Sequence, residues 1–186
     1  MSHSLQETEI KLAVRNAAAA RRLLRRAGFE VVRPRVFEAN TVFDTPERKL
    51  RARGELLRVR EAGKVVTTTF KGRPAVARHK TREELEFTAG NAERLKLVLN
   101  RLGYQPVFRY EKYRTEYRRP RVRGLATLDV TPIGTFLELE GTPAWIDRTA
   151  QTLGFIESDY ITASYGRLYE QWCEVQGVAL GDMVFA

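Results

Sequence analysis

The stretch Glu7-Thr8-Glu9-Ile10-Lys11-Leu12 alternates strictly, with Glu7, Glu9 and Lys11 on one side and Thr8, Ile10 and Leu12 on the other. Period-two alternation predicts a β-strand with two unlike faces, here over roughly residues 4–12. A charged face normally meets water. In this chain the same alternation returns in strand after strand, with both signs of charge, which fits the lining of a polar cavity better than a solvated surface.

The strands follow from the chain read in order. Residues 29–43 read as extended, broken near Pro34. Residues 55–61 and 65–71 read as a hairpin turned at Ala62-Gly63. Further strands are expected over 82–88, 105–119, 121–131 and 135–140. Asn16 caps a helix rich in alanine and arginine, and Asn91 caps a second with Leu95, Val98, Leu99 and Leu102 on its apolar side. Thr142-Pro143 opens a third that runs to Gly154, and 160–176 form a fourth. A short helical turn follows Asp44-Thr45-Pro46-Glu47. Gly28-Phe29, Gly103-Tyr104 and Gly154-Phe155 share the form of a C-cap with an apolar staple. About eight strands and four helices with short connections make an α+β fold dominated by antiparallel sheet. A single domain is expected over 1–177, with a short uninformative tail over 178–186.

One face of these strands carries the acids Glu7, Glu9, Glu84, Glu86, Asp129, Glu138 and Glu140 and the bases Lys11, Arg58, Arg60, Lys71, Arg82, Lys112 and Arg114. The opposite faces carry Ile10, Leu12, Leu57, Val59, Phe70, Leu85, Phe87, Leu128, Val130, Leu137 and Leu139, which are expected to pack under the helices. Strands of this kind close into a barrel around a wet cavity. An open sheet laced by cross-strand ion pairs would show the same alternation, at about 0.2–1 kcal/mol per pair. Two features count against it. Carboxylates repeat at i, i+2 in Glu7/Glu9 and Glu138/Glu140, and bases repeat the same way in Arg58/Arg60 and Lys112/Arg114. Adjacent like charges are sensible where acids share divalent cations and bases share a polyanion.

Composition agrees. The 186 residues are 43% hydrophobic, enough for a sizeable core, and the net charge of +9 favours phosphates, nucleotides, nucleic acid or an acidic membrane. The arginines of the first helix make either a nucleic-acid face or a solvated helix side. A single cysteine, Cys173, excludes an internal disulfide and a cysteine zinc site. The first residues lack a basic and apolar leader, and no run of 18 apolar residues occurs, so a cytoplasmic protein without a membrane partner is expected. His3 and His79 have no second histidine at metal spacing, and no catalytic role is expected of either. The run Tyr104, Phe108, Tyr110, Tyr113, Tyr117 reads as packing. The glycine-rich phosphate loops are absent.

The Glu7-x-Glu9-x-Lys11 motif resembles the signature of the CYTH domain, or triphosphate tunnel metalloenzyme, family. It is followed in order by Phe43-Asp44-Thr45-Pro46, Leu57-Arg58-Val59-Arg60, Thr69-Phe70-Lys71-Gly72, Arg82-Glu83-Glu84-Leu85-Glu86, Lys112-Tyr113-Arg114, Leu128-Asp129 and Phe136-Leu137-Glu138-Leu139-Glu140, with Ser164-Tyr165 near the end. The family includes class IV adenylyl cyclases, thiamine triphosphatases, inorganic tripolyphosphatases and fungal RNA triphosphatases. The resemblance implies an eight-stranded antiparallel β-barrel with helices packed outside. It implies Mg²⁺ or Mn²⁺ on Glu7, Glu9, Asp129, Glu138 and Glu140, and phosphates on Lys11, Arg58, Arg60, Lys71 and Arg114. Arg82, Lys112, Glu84 and Glu86 are implied as further lining residues. Glu9, Lys11, Arg58 and Arg60 are the expected catalytic group. One departure stands out: some members carry a basic residue late in the C-terminal helix, and here that segment offers only Arg167.

Three functions are therefore expected in turn. The first is metal-dependent hydrolysis of inorganic tripolyphosphate or a small organic triphosphate. The second is class IV adenylyl cyclase chemistry on ATP. The third is a non-catalytic module for polyphosphate or RNA 5′ ends, nucleic acid otherwise being an unlikely partner. The chain is a monomer or a homodimer on this reading.

Overall fold

The computed structural model of the protein describes residues 6–186. Ser4 and Leu5 of the expected first strand, and His3, lie outside these. The strands are β1 (Gln6–Val14), β2 (Glu30–Asp44), β3 (Leu56–Ala62), β4 (Val65–Lys71), β5 (Ala75–Val76), β6 (Lys80–Ala89), β7 (Gln105–Arg118), β8 (Leu125–Thr131) and β9 (Gly134–Glu140). Their order is β1-β9-β8-β7-β2-β3-β4-β6, every pair is antiparallel, and β6 pairs back onto β1. Eight strands thus close a barrel, with β5 as a two-residue addition on β6. The expected α+β barrel is the fold the chain adopts.

The extended segment expected over 29–43 is the strand β2, and it is irregular near Pro34 as expected. Pro34 has no N–H for the ladder, and the register between β2 and β7 shifts just before it, between Val31/Arg33, and across it, between Arg33/Val36. Closure at β1 needs two partners. β6 covers only Gln6 to Glu9, and Lys11 then exchanges backbone hydrogen bonds of 2.8 and 2.9 Å with Ile161.

Five α-helices lie outside: α1 (Ala17–Arg26), α2 (Lys49–Arg53), α3 (Ala92–Arg101), α4 (Pro143–Thr152) and α5 (Tyr165–Gln176). The expected caps form: Asn16, Asn91 and Thr142 accept from the N–H groups of Ala19, Arg94 and Trp145. The shared endings form too, with Phe29, Tyr104 and Phe155 N–H donating to the carbonyls of Leu24, Leu99 and Ala150 at 2.9–3.0 Å. The expected fourth helix begins later, at Tyr165 behind the cap Ser164, and Glu157–Asp159 form a separate 3-10 turn.

The main core lies between the outer faces of β1, β8 and β9 and the helices α1 and α4. Ile10, Leu12, Leu128, Leu137 and Leu139 pack there on Leu24, Trp145, Ile146 and Leu153. Trp145 lies so close to the backbone that a Cβ on Gly124 would sit 2.4 Å from its ring, and one on Gly141 2.8 Å. Only glycine fits those two positions.

The covering of outer faces is uneven. Val59 packs on Phe43 and Leu99 of α3, as expected. Leu85 and Phe87 on β6 are 43% and 59% exposed, and on α3 Val98 and Leu102 are 54% and 68% exposed. The expectation that helices cover all of these is corrected. α3 is one ten-residue helix, and its buried core contact is Leu99, so it does not reach across β6. The tail is also more structured than its sequence indicates. β8 pairs with β7 only from Tyr113 onward, and the tail fills the edge before it. Met183, 1% exposed, donates to the Arg109 carbonyl and accepts from Glu111 N–H at 2.9 Å each.

Candidate active site

The inner faces of the eight strands surround a cavity of about 740 Å³. Thirteen of the fourteen charged residues expected from alternation line it: Glu7, Glu9, Lys11, Arg58, Arg60, Lys71, Arg82, Glu84, Glu86, Lys112, Arg114, Glu138 and Glu140. Asp129 stands just behind them, fully buried. Four charged residues that the pattern did not single out complete the set, two of them Arg33 and Glu116, ion-paired at 3.1 Å on the cavity lining. Lys80 lines the cavity from the start of β6, and Glu38 on β2 is fully buried beside it. Nine acids and nine bases therefore cancel inside, and the net charge of +9 is carried outside the tunnel.

Strand order sorts these charges. The wall of β6, β1 and β9 carries Glu84, Glu86, Glu7, Glu9, Glu138 and Glu140 against Lys80, Arg82 and Lys11. The facing wall of β7, β2 and β3 carries Lys112, Arg114, Arg58, Arg60 and Arg33 against Glu38 and Glu116. Lys71 on β4 and Asp129 on β8 stand between the two. An acid-rich wall thus faces an arginine-rich one.

On the acid wall each carboxylate meets a cation of the chain. Lys71 Nζ donates to both oxygens of Glu7 at 2.7 and 2.8 Å and reaches Glu84 at 2.9 Å. Arg82 Nε donates to Glu7 at 3.2 Å. Lys80 donates to Glu9 at 2.8 Å, while Lys11 lies 3.5 Å from Glu9 and 3.3 Å from Glu138. Glu140 is the exception: it sits exposed at the mouth without an ion pair among the described residues. Desolvation, then the charges of Glu7 and Glu84, push its carboxyl up to about 7. Burial and then Glu9 raise Glu7 as well. Burial would also raise Glu9, but Lys11 and Lys80 overcome it and hold that carboxyl far below its usual range. Glu9 is consequently a poor proton acceptor.

The arginine wall is built differently. Asp129 is spent on it: its two oxygens accept from Lys112 (2.8 Å), from Arg114 (2.8 and 2.6 Å) and from the Tyr165 hydroxyl (2.8 Å). Arg114 also donates to Glu138. Arg58 donates to the Tyr110 hydroxyl at 3.2 Å and to Thr69 at 2.9 Å, yet its buried Nε has no acceptor. Arg60 donates to Asn40 at 3.0 Å, and its charge is disfavoured by burial and then by Arg58. Glu38 has Arg60 at 3.3 Å and Lys112 at 3.7 Å, and neither oxygen makes a hydrogen bond. Burial acts to raise it, but Lys112, Arg114 and Arg60 pull it down to about 2. Burial is likewise overcome at Tyr110, whose hydroxyl Arg58 and Lys112 lower to about 8. This wall holds more positive charge than its own acids satisfy.

α5 closes one end. Tyr165 stands under Lys11 and Lys112, 5.2 and 5.1 Å from its ring centre. Arg167 points away, exposed on Glu170, so no base of α5 enters the tunnel. The connection ahead of Lys80 is pinned outside, with His79 and Arg78 each 2.7 Å from Asp147 of α4. Asp44 is buried and accepts from Leu50 and Arg51 N–H at 2.9 Å each, holding the start of α2 rather than a ligand.

Lys80 escaped sequence reasoning because it sits in a run of bases, Arg78-His79-Lys80, that looks like a loop. Glu38 carried a signal: Glu38-Ala39-Asn40-Thr41-Val42 alternates like the other strands.

The donor set suits a hard divalent cation. Carboxylate oxygens are its preferred ligands, and the raised Glu7 and Glu140 carboxyls mark a local excess of acid that such an ion relieves. Among the described residues no three acids converge tightly enough to clasp an ion as they stand. Lys71 bridges Glu7 and Glu84, and Lys11 lies between Glu9 and Glu138.

Comparison with known proteins agrees with this geometry. A family model of the CYTH domain matches residues 5–162. A Methanocaldococcus jannaschii protein bearing an adenylate cyclase name is 29% identical over 134 residues, 72% of this chain and 75% of that protein. A solved structure from Vibrio parahaemolyticus, also named as an adenylate cyclase, superposes with a TM-score of 0.77 at 22% identity, over 90% of this chain and 99% of that one. A Hippeastrum protein, described as an adenylyl cyclase with a dominant triphosphatase activity, superposes with a TM-score of 0.62 at 20% identity, over 94% and 97%. At these identities the two structures speak for the fold.

Proposed function

The chain belongs to the CYTH domain family, and from that premise we propose that it hydrolyses a triphosphate, inorganic or small organic, with a divalent cation. The observation that carries this reading is the pair of facing walls: an arginine wall with excess positive charge and an acid wall with excess carboxylate, across a closed barrel.

Arg58, Arg60, Lys112 and Arg114 bind the phosphates. Guanidinium forks take two phosphate oxygens at once, and the free Nε of Arg58 is a donor waiting for one. Lys11 on the acid wall and Lys71 between the walls add point charges. Asp129 and Tyr110 hold Lys112, Arg114 and Arg58 in place. Glu7, Glu9, Glu138 and Glu140 are the residues to hold Mg²⁺ or Mn²⁺, once Lys80, Lys71 and Arg82 turn from them toward the phosphates. Asp129, implied as a metal residue by the resemblance, has Lys112, Arg114 and Tyr165 already on its oxygens. The bound cation supplies charge neutralisation and an activated water. The chain's bases stabilise charge on the terminal phosphoryl group as it leaves.

A second reading is cyclisation of ATP. The name of the M. jannaschii relative favours it, and Phe108, stacked on both Tyr110 and Tyr169, stands at the cavity edge. One assay separates the two. Purified protein is incubated with tripolyphosphate, ATP and thiamine triphosphate in turn, with Mg²⁺ or Mn²⁺, and phosphate and cyclic AMP are both recorded. Phosphate released chiefly from tripolyphosphate supports the hydrolase. Cyclic AMP with pyrophosphate replaces it with the cyclase, and no turnover overturns both.

A further inference from the structure

Because the tunnel is internally neutral, the chain's positive charge must be sought elsewhere. α1 carries Arg21, Arg22, Arg25 and Arg26, all exposed. The turn between β7 and β8 carries Arg118, Arg119, Arg121 and Arg123, also exposed. None of these eight makes a salt bridge among the described residues, and neither do Arg15 and Arg35. The two groups adjoin. A side chain placed on Gly28, just past α1, would lie 3.9 Å from Arg119 Nε. Arg118 pairs in register with Glu30, the first residue of β2. A groove of about 280 Å³ connects α1 to the barrel, with Arg21 on one side and Arg35 on the other. Arg35 lies 3.5 Å above the Tyr113 ring at its floor.

We propose that this arginine face docks the phosphate backbone of single-stranded nucleic acid, independently of what the tunnel does. Like charges at i, i+4, as in Arg21/Arg25 and Arg22/Arg26, repel unless an outside anion neutralises them. The bases are all arginines: no lysine occurs between residues 12 and 48 or after 112. Arginine binds phosphate with two donors and stacks on bases, and a basic groove with an aromatic floor is how strands are held without sequence preference. A membrane fits less well. The apolar residues exposed among these arginines are Val31, Val32, Phe37 and Val122, with no leucine or tryptophan to enter an acyl layer.

The test is fluorescence anisotropy of a labelled single-stranded RNA of about 20 nucleotides with a 5′-hydroxyl, titrated with the full chain at several salt concentrations. With no triphosphate on the RNA, failure here says nothing against the hydrolase, and the converse holds. With about four phosphates neutralised, log affinity falls against log salt with a slope of about −3. The variant Arg22→Glu/Arg25→Glu/Arg119→Glu/Arg121→Glu binds at least tenfold more weakly at equal salt, while Arg58→Ala binds as the parent does. If the fourfold variant melts early, Arg119→Gln/Arg121→Gln takes its place, with an expected loss of about threefold. The proposal is overturned if the parent does not bind the RNA. It is equally overturned if the variants bind as tightly as the parent, or if phosphatidylserine vesicles are bound where RNA is not.

Discussion

The two walls of the tunnel use the same residue types to opposite effect. On the β6-β1-β9 wall, carboxylates outnumber bases, and Glu7 and Glu140 are pushed upward. On the β7-β2-β3 wall the bases win: Glu38 is pulled down to about 2 and the charge on Arg60 is disfavoured. Each wall keeps an excess of its own sign, although Arg114 reaches Glu138 and Arg58 lies 3.9 Å from Glu86 across the cavity. A polyanion on one side and a divalent cation on the other relieve both. A buried ion-pair network optimised for stability alone would intersperse its signs, since unpaired buried charge costs several kcal/mol.

The comparison breaks first on the arginine wall. Replacing Arg58 by Ala removes a phosphate donor, and kcat/KM for the preferred triphosphate is expected to fall by about 10³, or roughly 4 kcal/mol. Arg58→Lys, which keeps the charge but loses the fork, is expected to recover only part of it. Steady-state kinetics beside a thermal melt checks both.

Asp129→Asn should act through stability. It leaves Lys112 and Arg114 buried without their main carboxylate, at a cost of about 3–5 kcal/mol in urea unfolding. Glu38→Gln sharpens the contrast through pH. The folded-state pKa lies below the unfolded one, so Glu38 contributes fully above about pH 4.5, and the contribution fades as pH falls towards 2. Unfolding measured across that range should show Glu38→Gln less stable than the parent by on the order of 3 kcal/mol near neutrality, converging with it in acid.

The acid wall is expected to respond through the cation. Glu9→Gln should raise the Mg²⁺ or Mn²⁺ concentration for half-maximal activity by about tenfold, roughly 1.4 kcal/mol. Full metal-dependent activity at unchanged metal concentration would remove Glu9 from the cation site. Outside both walls, Arg78→Ala breaks an exposed ion pair with Asp147 and should change stability by about 0.5 kcal/mol or less.

Much of the tunnel was legible because strand alternation writes each wall directly into the chain. Glu7, Glu9 and Lys11 share a face by period alone, and β9 repeats this with Glu138 and Glu140. What alternation cannot show is which strand stands opposite which. The separation of acids from arginines emerged only with the strand order, and so did the engagement of Asp129 by bases of the neighbouring strand β7. Nor does a period say how far a helix reaches. Leu85 and Phe87 alternate as faithfully as Leu137 and Leu139, yet only the latter pair lies under α4. The tail was opaque because its one buried anchor, Met183, is held through backbone hydrogen bonds, which any residue can make.

The most direct test of the facing-wall account is calorimetric binding of tripolyphosphate with and without Ca²⁺, a cation chosen to slow turnover. If the walls act together, the cation strengthens binding by tenfold or more, and Glu9→Gln loses that gain while keeping the cation-free affinity. Equal affinity with and without the cation would mean that the arginine wall binds alone, and the acid wall would need another explanation.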